Sequence, residues 1–93
     1  MMDPRARLRL IVTGTVQGVG FRWATVAEAQ RLGLAGWVRN MAGGGVEIIA
    51  EGDKDRLSKL CAWARHGPKF ASVSSVEEEW SDCSGRPAGF EIR

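Results

Sequence analysis

The amino-acid sequence predicts an α+β fold in which two helices cover one face of a four- to five-stranded, mostly antiparallel sheet. Three observations carry this. Segments with an apolar period of two alternate with two segments of helical period, in the order strand, helix, strand, strand, helix, strand. Glycine clusters punctuate the joins between them. The chain has 93 residues, enough for one compact domain and too few for two.

Each element follows from its own pattern. Over residues 7–13, Leu8, Leu10 and Val12 alternate with Arg7, Arg9 and Thr13, a half-buried strand with Ile11 on the polar side. Gly14-Thr15-Val16-Gln17-Gly18-Val19-Gly20 follows as a glycine-rich loop. Phe21, Thr25, Ala29 and Leu32 recur at helical spacing. Gly33 ends that helix, because glycine accepts the left-handed conformation that follows a helix terminus. Residues 35–40 and 45–51 read as a hairpin around Met41-Ala42-Gly43-Gly44, with Val46, Ile48 and Ala50 alternating against Glu47, Ile49 and Glu51.

Asp53 is placed to cap a second helix, whose apolar stripe is Leu57, Leu60, Cys61 and Ala64 and whose end is marked by Gly67-Pro68. Residues 71–80 form a fourth strand anchored by Val73, Val76 and Trp80. The Val73 to Val76 spacing breaks the period of two and predicts a bulge. Glu78 shares the parity of Val76 and Trp80, and an inward charge marks an edge strand. Residues 81–87 read as a loop and 89–93 as a short final strand. This is the ferredoxin-like order βαββαβ with a fifth strand added. The whole chain, 1–93, reads as a single domain, with residues 1–6 as a flexible extension.

Composition bounds the function. The chain is 44% hydrophobic and 26% charged, with a formal net charge of +2, which disfavours disorder and falls well short of a nucleic-acid-binding tail. A mild positive field suits a small anionic substrate. Cys61 and Cys83 have no C-x-x-C spacing and His66 is the only histidine, so no metal site is expected. No cofactor is implied. The N-terminal residues precede no apolar stretch long enough for a signal peptide or a membrane span, and the expected compartment is the cytoplasm.

The informative segment joins the first strand to the first helix. Gly18 and Gly20 let the backbone turn its N–H groups toward one point, and the helix start adds unpaired donors and partial positive charge. Together these form an anion cradle, with Arg22 beside it able to fork onto two phosphate oxygens. It lacks the Gly-Lys-Ser/Thr of a Walker loop and the dinucleotide fingerprint. On these features alone the segment also reads as an ordinary turn with a solvated arginine. Asn40 ends the second strand. In this topology the first and second strands run the same way with the third between them, so Asn40 comes within roughly 10 Å of the loop. It shares the parity of Val38, toward the helix-covered face. Asparagine equally favours a hairpin turn, and that reading stays open at this point.

Gly14-Thr15-Val16-Gln17-Gly18-Val19-Gly20-Phe21-Arg22 resembles the acylphosphatase signature G-x-V-Q-G-V-x-F-R. Gly36-Trp37-Val38-Arg39-Asn40 resembles the second motif of that family, G-W-V-x-N, and Gly89-Phe90-Glu91-Ile92-Arg93 is similar to its usual ending. The resemblance runs from about Leu8 to Arg93. It implies the ferredoxin-like fold and a metal-free hydrolysis of acyl phosphates to a carboxylate and phosphate. By position it implies that Gln17, Gly18, Val19, Gly20, Phe21 and Arg22 bind the substrate phosphate, and that Arg22 and Asn40 are catalytic, Asn40 orienting the attacking water. The hairpin turn departs from the family's common Asp-Gly pair, and Glu78 stands where an apolar residue is more usual.

Two other readings share this order of elements. Domains of this type also open the larger hydrogenase maturation carbamoyltransferases as auxiliary units; a chain of this length favours a free-standing enzyme. The RNA-recognition module has a similar element order, but it stacks bases on aromatics of its central strands, and here those strands carry none. The expected partner is therefore a small acyl phosphate, with no nucleic acid and no membrane, and the expected state is a monomer.

Overall fold

The computed structural model describes residues 4–93. Its elements are β1 (Arg5–Thr15), α1 (Phe21–Arg31), β2 (Ala35–Asn40), β3 (Val46–Asp53), α2 (Lys54–Ala64), β4 (Ser72–Ser81) and β5 (Phe90–Ile92). They form one sheet in the order β4-β1-β3-β2-β5. Every neighbouring pair is antiparallel except β2 and β5, which run parallel. This is the ferredoxin-like arrangement predicted from the sequence, with the fifth strand present.

The expected extension over residues 1–6 does not hold at its end. Arg5 and Ala6 already pair with β3, and the carbonyl of Pro4 accepts from Lys54 N–H at 2.8 Å. Residues 1–3 of that expectation lie outside the described residues.

The core lies between the sheet and the two helices. Leu8, Leu10 and Val12 from β1, Val38 from β2 and Val46, Ile48 and Ala50 from β3 turn toward Phe21 and Ala29 of α1 and Leu57, Leu60, Cys61 and Ala64 of α2. Each large side chain so buried contributes about 1.5–3 kcal/mol. Thr25 is fully buried on α1 and donates its hydroxyl to the Phe21 carbonyl at 2.8 Å, which satisfies it within the helix. The Asp53 cap is real: its carboxylate accepts from Asp55 N–H at 2.9 Å.

The edges behave as their residues dictate. β4 carries the predicted bulge: Thr13 pairs with Ser75 and Gly14 with Val73, leaving Ser74 as the extra residue. Glu78 lies level with buried Leu10, on the helix side of this edge strand, and pairs with Arg65 at the end of α2 at 2.5 Å. Trp80, expected as an anchor, is 42% exposed.

β3 departs most from its sequence pattern. Glu47 and Glu51, read as its polar side, are both buried. Glu47 is held by Arg9 at 2.7 Å and Arg39 at 2.6 Å from the flanking strands. Glu51 accepts from the Cys83 thiol, from Ser84 through both N–H and hydroxyl, and from Gly85 N–H. The segment 82–89 must travel from the β4 edge to the β5 edge, and this carboxylate pins it on the way. Burial works against the Glu51 charge, but the bonds from Cys83, Ser84 and Gly85 outweigh it and bring the carboxyl down to about 2.

Candidate active site

The phosphate-loop candidates sit where β1 gives way to α1. Val16 and Phe21 are almost completely buried and Val19 packs against the core, so three apolar anchors fix the loop from below. The Phe21 ring is braced by Trp63 of α2 at a centroid separation of 5.5 Å. Between the anchors, Gly18 and Gly20 adopt φ of 76° and 78°. A Cβ at either would meet nothing within 4 Å, so glycine is required there by backbone conformation rather than by space.

The loop leaves its donors free. Gly20 is the N-cap of α1, in the left-handed conformation, and no side chain caps the helix. Among the described residues, no backbone N–H from Gln17 to Arg22 donates a hydrogen bond. A run of unpaired amides at a helix start, with partial positive charge behind it, is an anion cradle in physical terms. Arg22 is half-buried in the first turn, and among the described residues its guanidinium has no ion pair.

Asn40 lies across the sheet from this loop. Val12, Val46 and Asn40 stand in one row, because Val46 pairs with both of the others. Two inter-strand steps put Asn40 roughly 10 Å from β1, at the end of the strands where the loop begins. Its Oδ1 is buried and, among the described residues, has no hydrogen-bond partner. Buried acceptors are nearly always satisfied, so an orphan at such a place marks a site completed by a ligand or a water. A side chain serving merely to cap the hairpin turn would have a partner.

Gln17 plays a part that the sequence did not reveal. Its side-chain amide donates to the carbonyls of Met41 and Gly45, each at 2.8 Å. Those two residues close the β2–β3 turn, where Met41 N–H also donates to Gly45 at 2.8 Å. The Gln17 side chain is thus committed to tying the loop to the turn that follows Asn40. A glutamine amide has two donors and the turn has two convergent carbonyls, but that match is visible only in three dimensions.

The structure therefore brings Gln17, Gly18, Val19, Gly20, Phe21 and Arg22 together with Asn40 at one end of the molecule. No carboxylate belongs to this set. Among the described residues no group of three or more His, Cys, Asp or Glu side chains gathers where it could hold a metal, and no helix is long and apolar enough to cross a membrane. Trp23, next to Arg22, is 73% exposed.

Comparison with known proteins bears on this arrangement. The sequence model of the acylphosphatase family matches residues 8–92. An acylphosphatase of Pseudomonas aeruginosa is 51% identical over 89 residues, covering 96% of this chain and 97% of that protein. One from Thermococcus kodakarensis is 47% identical over 88 residues, covering 95% and 96%. Among solved structures, acylphosphatase from Bacillus subtilis superposes with a TM-score of 0.91 at 38% identity, covering 95% of this chain and 98% of that one.

Proposed function

The chain belongs to the acylphosphatase family, and from that premise we propose how its residues divide the work of the reaction. The enzyme hydrolyses the carboxyl–phosphate mixed anhydride of acyl phosphates, releasing a carboxylate and inorganic phosphate. The substrate phosphate lies in the cradle of N–H groups from 17–22, with the Arg22 guanidinium forked onto two of its oxygens. Asn40 accepts a hydrogen bond from a water through Oδ1 and holds it in line with the scissile bond.

The chemistry needs little else. A carboxylate is a good leaving group, so catalysis reduces to placing the water and balancing charge on the phosphoryl oxygens. The backbone amides and Arg22 supply that balance from fixed positions. No protein general base is assigned, and the substrate phosphate itself takes the proton of the attacking water. The single observation that carries the reading is the buried, unpartnered Oδ1 of Asn40 across the sheet from an uncapped helix start. We also read the protein as a cytoplasmic monomer that acts on small molecules without metal, nucleic acid or membrane.

Steady-state hydrolysis of benzoyl phosphate tests the assignment. Asn40→Ala slows turnover by about 10²-fold or more, as for loss of an oxyanion donor, while competitive inhibition by inorganic phosphate stays near the wild-type value. A folded Asn40→Ala protein with undiminished turnover would remove Asn40 from the mechanism.

A further inference from the structure

A cavity of about 710 Å³ lies at the other end of the strands, between the sheet and the segment that joins β4 to β5. Its wall includes Arg7, Trp37, Glu51, Arg86, Glu91 and Arg93. Arg7 is eight positions before Thr15 on β1, roughly 26 Å along the strand at ~3.3 Å per residue. The cavity is therefore separate from the cradle at 17–22.

The charges in this wall do not cancel. Arg7 stands directly opposite Glu51 in the β1–β3 register, where an ion pair would be the ordinary outcome. That pair is not made, because the Glu51 carboxylate turns to the joining segment and spends its oxygens on Cys83, Ser84 and Gly85. The same anchoring brings Arg86, two residues past Ser84, to the cavity, with its backbone N–H held by the Ser84 hydroxyl at 3.2 Å. Among the described residues, neither the Arg7 nor the Arg86 guanidinium has an ion pair. Arg93 is paired with Glu91 at 3.2 Å and lies over the Trp37 ring at 5.0 Å, which fixes its head group at the rim.

Two unpaired guanidinium groups and a third held by an aromatic ring face a space within the range of ordinary ligand sites, about 300–1,000 Å³. The one deeply buried carboxylate there is already saturated by donors. We propose that this cavity is a second binding site, for a small organic molecule bearing two or more phosphate or carboxylate groups that bridge Arg7 and Arg86. Guanidinium forks match both oxyanions bidentately, and the space exceeds what a single inorganic phosphate fills.

Calorimetric titration with inorganic tripolyphosphate and, separately, with citrate tests the site. At least one probe binds with one equivalent per chain. Arg7→Ala and Arg86→Ala each weaken that binding about tenfold or more, the loss of one charge-assisted contact. Both variants hydrolyse benzoyl phosphate at the wild-type rate in the absence of probe, and Arg22→Ala retains the binding. Amide resonances of residues 84–93 move on titration of Arg22→Ala, and those of 17–22 do not. Tripolyphosphate alone binding identifies a phosphate site, and citrate alone a carboxylate site. Binding of neither, or binding abolished by Arg22→Ala and untouched by Arg7→Ala and Arg86→Ala, overturns the proposal.

Discussion

The two ends of the sheet both present arginines without counter-ions, yet they are built from different materials. At the β1–α1 end the donors are backbone amides, locked in place by Val16, Val19 and Phe21 below them and tied to the opposite hairpin by Gln17. At the other end the donors are guanidinium heads on long side chains, held together by a segment pinned to Glu51. Amides lose no rotamer freedom when an anion arrives, whereas arginine side chains lose up to about 2 kcal/mol each. The first construction suits a site that must be complete before the transition state forms. The second suits binding without chemistry.

Substitutions at the two ends sharpen the contrast. The largest effect is expected at Arg22: Arg22→Ala lowers kcat/KM for benzoyl phosphate by about 10²-fold or more, whereas Arg7→Ala leaves it unchanged. Equal losses in both would erase the distinction between the ends. Next comes Gln17→Ala, which frees the Met41 and Gly45 carbonyls and lets the hairpin drift relative to the loop. A displacement of reacting groups well under 1 Å costs on the order of tenfold in turnover, read as a fall in kcat in a protein that still melts cooperatively.

Glu51→Ala is expected to act on stability rather than turnover. It leaves the donors of Cys83, Ser84 and Gly85 without their acceptor and costs about 2 kcal/mol near neutral pH, read by urea denaturation. The pH dependence has a definite sign. The Glu51 carboxyl is lowered from 4.5 to about 2 on folding, so its stabilisation is present above pH 4.5 and drains away as pH falls toward 2. Wild type therefore loses its advantage over Glu51→Ala across that window. A constant gap from pH 7 to pH 2 would show that the carboxylate charge is not what holds the segment. The smallest effect is expected from metal removal: EDTA leaves the rate of benzoyl phosphate hydrolysis where it was.

Much of this architecture was legible in the sequence because it rests on local patterns. The two helical stripes, the Asp53 cap, the glycine punctuation and even the β4 bulge at Ser74 follow from residues close together in the chain. The placement of Asn40 beside the loop followed from topology, since β1 and β2 are parallel across β3. What stayed hidden depends on distant partners. Glu47 and Glu51 looked like a solvated face; they are buried because Arg9 and Arg39 flank one and a segment more than thirty residues away covers the other. Gln17 looked like part of the cradle, and its side chain proved to be a brace. Trp23 and Trp80 are apolar by type, yet they stay 73% and 42% exposed.

The most direct test of the catalytic arrangement is a crystal structure of the protein soaked in inorganic phosphate. The expected result is an anion within hydrogen-bonding distance of the N–H groups of 17–22 and of the Arg22 guanidinium, with a water between Asn40 Oδ1 and the phosphorus. A loop left empty at saturating phosphate, or an anion there with Asn40 turned away from it, would contradict the assignment.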